Sequence, residues 1–175
     1  ALSVPEVPMK ARRALLALAK QYGGFSVASF TSGEMKESET HEILSDVDLL
    51  AINVEEAGAF IGGQAHHDDI ERIVEKVVSR MNKINPHALL SVTAGIKGSW
   101  TWDGEQLSHA PAFPVEVKSS AGAGDAHVAG IISGLTAGLT LSQAQILGSL
   151  AGAFAVTSPH TIHPEMTAKN LKDLA

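Results

Sequence analysis

The 175-residue chain contains no cysteine, a single tyrosine, two tryptophans and only 5% aromatic residues. Without cysteine there is no disulfide framework and no thiolate metal site, and nothing in the fold calls for an oxidising compartment, so a cytoplasmic protein is expected. Charge is sparse at 18%, the formal net charge is -6, and there is no basic run, which argues against nucleic acid or an anionic membrane as partner. Long hydrophobic runs are missing too. The nearest, Val128 to Leu150, is interrupted by Gly130, Ser133, Gly134, Thr136, Gly138, Thr140, Ser142, Gln143 and Gln145, so no membrane span is expected. Neither an internal repeat nor a low-complexity segment occurs. What the chain does have is 45% hydrophobic content and 16 glycines, enough for one well-formed core, and a single domain over residues 1–175 is the expectation.

The hydrophobic pattern alternates between periods of helix and strand. Met9 to Tyr22 reads as a helix with Ala14, Leu15, Leu18 and Ala19 on its apolar side. Phe25 to Phe30 reads as a strand, Glu39 to Leu44 as a short helix, Val47 to Ile52 as a buried strand and Glu55 to Ile61 as a helix. Ile70 to Met81 is amphipathic and begins after Asp68 and Asp69, acids suited to the positive end of a helix. Ala88 to Thr93 is a strand, and Ser99 to Trp102 with Gln106 to His109 forms a hairpin around a two-residue Asp103-Gly104 turn. Val128, Ile131, Ile132 and Leu135 share a face of the next helix, which Gly138 ends. Thr140 and Gln143 form a capping box for the last one, whose stretch from Ile146 to Val156 is apolar all round. Small residues at Gly148, Ala151, Gly152 and Ala155 predict its burial against a closely approaching helix. The sum is an α/β fold of three layers, parallel-rich with one antiparallel hairpin.

Three segments carry chemistry. Gly122-Ala123-Gly124-Asp125 is a glycine-rich turn that delivers a carboxylate to the first turn of an apolar helix. Helix N-termini offer unpaired N–H groups and the positive end of the macrodipole, so an anion is held without lysine. A carboxylate there holds a phosphate poorly but can take a proton from an attacking hydroxyl, which points to phosphoryl transfer. The plainer alternative is a turn followed by an acid that favours a helix start. A dinucleotide fingerprint is excluded by His127, which stands where a third small residue is needed, and a P-loop by the lack of Gly-Lys-Ser/Thr. Asn53-Val54-Glu55-Glu56 and Thr93-Ala94-Gly95-Ile96-Lys97-Gly98 each follow a predicted strand, at the carboxyl edge where open α/β sheets place ligands. Asn53 and Glu56 also have the spacing of a capping box, and Thr93 to Gly98 that of an ordinary strand connection.

Asn-x-x-Glu, Thr-x-Gly-x-x-Gly and Gly-Ala-Gly-Asp, in that order, resemble the C-terminal half of the ribokinase-like (PfkB) family of sugar kinases. The resemblance covers almost the whole chain, including Ala155-Val156-Thr157-Ser158-Pro159, which is similar to the family's final loop beside the nucleotide. It implies a ribokinase-like three-layer sheet and an ATP- and Mg²⁺-dependent phosphotransferase acting on a sugar. Asp125 would be the general base, and the Gly122, Ala123 and Gly124 amides would form the anion hole. Asn53 and Glu56 would organise Mg²⁺ through water, Thr93, Gly95 and Gly98 would line the nucleotide, and Ser149 would lie on its adenine side.

The pattern is departed from at Ser119-Ser120, where the family has Asp-Thr. The missing acid leaves a monovalent-cation site, and potassium activation, open. The chain begins at Ala1, and the family's N-terminal half, with its lid and most sugar contacts, is absent, so a fragment is expected that leaves apolar surface for self-association. The alternative function is a noncatalytic nucleotide-binding or assembly module of the same fold. His66-His67-Asp68-Asp69 is read as helix capping rather than metal ligation, and His160 and His163 as exposed loop residues. The acceptor itself is not written in this part of the chain.

Overall fold

The computed structural model describes residues 1–63, 69–167 and 170–171. Among the described residues, six strands run in sequence order through one mixed sheet: β1 (Leu2–Ser3), β2 (Val27–Ala28), β3 (Leu49–Asn53), β4 (Leu89–Thr93), β5 (Ser99–Trp102) and β6 (Leu107–Ala110). β1, β2 and β3 are parallel, with Val27 opposite Leu2 on one side and Leu49 on the other. The α/β class expected from the alternating pattern is the class observed. By their contacts the residues gather into two compact units, which are described in turn.

The first unit comprises residues 1–92 and 102–106 and holds helices α1 (Met9–Gln21), α2 (Ser38–Leu44), α3 (Val54–Phe60) and α4 (Ile70–Ile84). β3 reads Leu-Leu-Ala-Ile-Asn, and its four apolar residues are all buried, as suits a parallel strand covered on both faces. α4 buries Ile70, Ile73, Val74, Val77, Val78 and Met81 at helical spacing, and the Asp69 carboxylate caps it by accepting the Arg72 N–H at 3.3 Å.

Two expectations fail in this unit. The strand foreseen over Phe25 to Phe30 shortens to Val27–Ala28, because Ser26 is drawn into side-chain bonds with the Asp48 carboxylate and Asp46 carbonyl instead. The apolar side assigned to α1 is also the wrong one: Ala14, Leu15 and Leu18 are exposed, Leu18 by 53%. The buried pair is Arg12 and Leu16, one turn apart. Arg12 earns its place by bonding: Nε donates to Ser3 Oγ at 2.8 Å, one terminal nitrogen meets Glu34 Oε1 at 3.2 Å, and the guanidinium lies 4.1 Å from the centre of the Phe30 ring. Burial lowers its pKa, an effect that Glu34 opposes.

The second unit comprises residues 93–101 and 107–175 and is built on α5 (Ala123–Thr136) and α6 (Leu141–Val156), packed along each other. Thr140 and Gln143 form the expected capping box, and Gly138, at φ 83°, closes α5 by donating to the Leu135 carbonyl. The predicted close approach is present. A Cβ on Gly130 would lie 2.7 Å from the Gly148 Cα, and one on Gly134 would lie 2.8 Å from the Ala144 Cβ.

This approach moves the buried face of α5 to His127, Gly130, Ile131 and Gly134, while Val128, Ile132 and Leu135 of the predicted face are only half-buried. Residues with little side chain let the backbones meet, and larger ones are displaced to the flanks. α6 is likewise not buried all round, since Ile146 is 54% exposed. The β5–β6 connection spans Asp103–Gln106 rather than two residues. The Asp103 carboxylate folds over it, accepting the Gln106 and Glu105 N–H groups at 2.8 and 2.9 Å, which holds its pKa below the ordinary range.

Candidate active site

The glycine turn before α5 has the conformation its sequence calls for. Gly122 is the N-cap residue at φ 80°, and its carbonyl accepts the Ala126 N–H at 2.9 Å to begin the helix. A Cβ there would lie 2.1 Å from the Thr161 carbonyl oxygen, so the turn and the segment after α6 are fitted to one another through a glycine. The Ala121 N–H reaches Ser119 Oγ and the Ala123 N–H reaches the Ser120 carbonyl, both at 3.3 Å. The N–H groups of Gly124 and Asp125 belong to the first helical turn and so have no acceptor within the helix. Gly124 and Asp125 are exposed, with open space beside Gly124. The result is a donor-rich helix start with a carboxylate on it. The end of α6 is fastened to the approach to the same turn, because the Lys118 and Ser119 N–H groups donate to the Val156 carbonyl at 2.8 and 3.3 Å.

Thr93 ends β4, and the turn after it closes on itself: Gly98 donates to Gly95, Lys97 to Ala94, and Ala94 back to Gly98 at 2.9 Å. Gly95 and Gly98 both have positive φ, 55° and 93°. Gly98 is further constrained because a Cβ would lie 2.1 Å from the Ala110 carbonyl oxygen. His109 Nε2 donates to the Lys97 carbonyl at 2.9 Å while its ring stacks on Trp100. The tip residue, Ile96, is 88% exposed.

Ser149 is half-buried on α6 and lies 3.0 Å from Ser99 Oγ. It joins a ladder in which Gln145 donates to the Ser99 carbonyl at 2.6 Å and accepts from Thr101 Oγ1 at 2.9 Å. In the other unit, Asn53 and Glu56 form the complete capping box of α3. Asn53 Oδ1 accepts the Glu55 and Glu56 N–H groups at 2.9 Å, and Glu56 Oε2 accepts the Asn53 N–H at 2.8 Å. Burial raises the Glu56 pKa, and the bond from the Asn53 backbone works against that rise.

The model of the pfkB family of carbohydrate kinases matches residues 2–168. The chain belongs to that family. A fructokinase of Klebsiella pneumoniae is 37% identical over 136 residues, covering 74% of this chain and 40% of its own length. A fructoselysine 6-kinase of Escherichia coli strain K12 is 44% identical over 62 residues, covering 35% of this chain and 24% of the relative. Among solved structures, ribokinase from Cryptococcus neoformans var. grubii serotype A in complex with ADP shares the fold with a TM-score of 0.83 at 21% identity. That match covers 98% of this chain and 59% of the other. Arabidopsis thaliana ribokinase complexed with ribose and ATP gives 0.82 at 19% identity, over 99% and 55%. The chain therefore spans little more than half the length of these pfkB-type structures.

Of the predicted site residues, the structure gathers Gly122, Ala123, Gly124 and Asp125 on one helix start, and Asn53 with Glu56 on another. The pfkB motifs did not reveal Thr161, His109 or the Ser99–Thr101–Gln145 ladder, and His127 entered only as a residue spoiling a different motif. The small-residue pattern of α6 signalled its burial against a closely approaching helix and pointed to none of these residues. His163 is more engaged than expected: its ring centre lies 4.2 Å from that of Phe154 and its Nδ1 accepts the Glu165 N–H, while His160 is exposed. Of the histidine-acid cluster, His66, His67 and Asp68 lie outside the described residues. Among the described residues no group of three or more His, Cys, Asp or Glu side chains is placed to hold a metal, and no helix is long and apolar enough to cross a membrane.

Proposed function

We propose that this chain carries the catalytic and nucleotide-binding part of an ATP-dependent sugar kinase. The observation that supports it most is the first turn of α5, where an exposed carboxylate, Asp125, shares a helix start with amides that lack helical acceptors. Asp125 takes the proton from the acceptor hydroxyl as that oxygen bonds to the γ-phosphorus of ATP. The bond from phosphorus to the bridging oxygen breaks, and ADP leaves with its electron pair. The amides of Gly122 and Gly124 stabilise the charge on the phosphoryl oxygens during transfer, and that of Ala123 joins them by giving up its 3.3 Å bond to the Ser120 carbonyl. Thr93, Gly95, Gly98 and Ser149 are assigned to the nucleotide.

A magnesium ion accompanying ATP would supply charge neutralisation on the phosphates. Glu56 suits it through water, because a half-buried carboxylate anchored by one oxygen keeps further lone pairs, and Asn53 fixes its orientation. Ser119 stands where the family resemblance has an acid, and its hydroxyl accepts the Ala121 N–H at 3.3 Å, so no side chain is assigned here to a monovalent cation. The acceptor class is a sugar or a related small alcohol, supported by relatives named fructokinase, fructoselysine 6-kinase and inositol 3-kinase. We place the enzyme in the cytoplasm with neither nucleic acid nor membrane as partner. Exposed Leu2, Leu15, Leu18, Tyr22 and Phe25 support association of this part of the chain with itself or with further chain; a concentration-independent monomer in sedimentation would remove the self-association.

The test is ADP release from ATP and Mg²⁺ against sugars, sugar acids, phosphosugars and nucleosides, with Asp125→Asn alongside. Turnover with one acceptor that is lost in the variant supports the kinase. Folded, ATP-binding protein with no acceptor-dependent turnover would favour the noncatalytic module.

A further inference from the structure

Gln145 is 1% exposed on α6, where its buried neighbours Leu141, Ala144 and Gly148 are apolar. A side-chain amide in such a place is costly unless its polar atoms are bonded, and both ends of this one are. Nε2 donates to the Ser99 carbonyl at 2.6 Å and to Ser99 Oγ at 3.0 Å, and Oε1 accepts from Thr101 Oγ1 at 2.9 Å. A carbonyl only accepts, so the atom facing Ser99 has to be the amide nitrogen. Ser99 and Thr101 are two apart on β5 and present their side chains to one face, which lets a single side chain span both.

That span adjoins two parts of the proposed site. Ser99 is the first residue beyond the turn after β4, whose neck closes where the Gly98 carbonyl accepts the Ala94 N–H at 2.9 Å. Ser149 lies one turn along α6 from Gln145, on the same side of the helix, with its Oγ 3.0 Å from Ser99 Oγ. The His109 ring also holds the turn, through the Lys97 carbonyl, but from an exposed position where water competes for the bond. The Gln145 bonds are shielded, so they are the stronger restraint.

We infer that Gln145 is a positioning residue for the proposed nucleotide site: its bonds to Ser99 join the neck of the turn after β4 to the side of α6 that carries Ser149, so that Thr93 to Gly98 and Ser149 meet a nucleotide as one piece. That a nucleotide lies there rests on the kinase reading; the hydrogen bonds do not. Residues that grip a nucleotide equally before and during transfer govern affinity and leave the chemical step alone. Loss of Gln145 should therefore act on KM for ATP rather than on kcat.

Gln145→Met keeps the length of the side chain without its bonds. In the full chain, the ¹H–¹⁵N chemical shifts of Gly95 and Gly98 should move while those of Gly122 and Asp125 stay. Kd and KM for ATP should rise about tenfold or more, with kcat within about threefold. Gln145→Glu keeps the acceptor for Thr101 but sets a second oxygen against the Ser99 carbonyl, a contact that is favourable only when that oxygen carries a proton. Its Gly95 and Gly98 shifts and its ATP affinity should therefore approach those of wild type at the same pH as pH falls from 9 to 6. Thr101→Val, which frees only Oε1, reads the same way with smaller changes should Met prevent folding. Unmoved Gly95 and Gly98 shifts in a folded Met or Val variant overturn the positioning role. So do a kcat that falls as far as kcat/KM and a Glu variant that behaves like Met across the whole pH range. Shifts that move with Met and recover with Glu, in a protein whose wild type binds no ATP, keep the hold of Gln145 on the turn and remove the kinase reading.

Discussion

The two glycine turns of the second unit look alike in sequence and differ in what they do with their backbone. In the turn after β4, the Ala94, Lys97 and Gly98 N–H groups are all spent on the turn's own carbonyls. In the turn before α5, Gly124 and Asp125 keep N–H groups that no helical carbonyl can take. Each turn nonetheless has one glycine whose Cβ position is blocked by backbone and one whose Cβ position is open. Gly98 and Gly122 have positive φ and a backbone oxygen 2.1 Å from where a Cβ would be, whereas Gly95 and Gly124 face open space. A glycine motif is therefore two things at once, a folding constraint and a surface cleared for a ligand, and only the second turn joins the cleared surface to a carboxylate, Asp125, on the start of an α-helix.

The largest expected effect breaks the comparison on the chemical side. Asp125→Asn should lower turnover by about 10²–10⁴-fold, the usual worth of a general base, while ATP affinity stays within a few fold. Steady-state kinetics with a binding titration measures both, and unchanged turnover removes Asp125 from the base role.

Next come the glycines themselves. Gly98→Ala and Gly122→Ala should each cost about 2–4 kcal/mol by thermal or urea unfolding, from positive φ together with collision against backbone. Gly95→Ala should cost about 1–2 kcal/mol, from φ alone. Gly124→Ala, inside the first helical turn, should be neutral or stabilising by up to about 1 kcal/mol. If Gly124→Ala proves as costly as Gly122→Ala, the division into blocked and open glycines is wrong.

The second unit also carries a buried titration that the first opposes. The His127 pKa lies at about 4, against an unfolded value of 6.5, so between these values the unfolded chain binds the extra proton. Stability from this group is complete above pH 6.5 and is lost as pH falls towards 4, by about 3 kcal/mol. Glu56 acts the other way, since its raised pKa means that its contribution is present at low pH and lost as pH rises through the folded value. Unfolding free energy measured from pH 7 to 4 should fall in the wild type, and fall much less in His127→Phe. Equal slopes in both would place the titration elsewhere.

How much of this could be read in advance follows from what each residue answers to. The capping boxes at Asn53 and Thr140, the end of α5 at Gly138 and the glycine turn were legible because they depend on neighbours three or four residues away. The α1 face was not, because hydrophobicity alone favours Leu15 and Leu18, and only the bonds to Ser3 and Glu34 explain why Arg12 is inside. His127 and Thr161 were invisible for the same reason. Their meaning lies in Gly148 and Gly122, and such pairings are set by packing rather than by local pattern.

The smallest effect separates scaffold from site at a second matched pair. Asn53 and Thr140 hold equivalent capping boxes, one on a segment assigned to Mg²⁺ and phosphate and the other on a helix start assigned nothing. Replacing either by alanine removes an acceptor for first-turn N–H groups and should cost about 1 kcal/mol of stability. If capping is all that Asn53 does, the two variants will match in unfolding and both will retain turnover. The proposed role adds a term at Asn53 alone. Its loss leaves the Glu56 carboxylate without the side-chain half of the box that orients its turn, so Asn53→Ala should lower turnover several-fold and raise the Mg²⁺ concentration needed for half-maximal rate. Thr140→Ala, with the same loss of stability, should change neither, so a difference between them cannot be charged to a weaker fold.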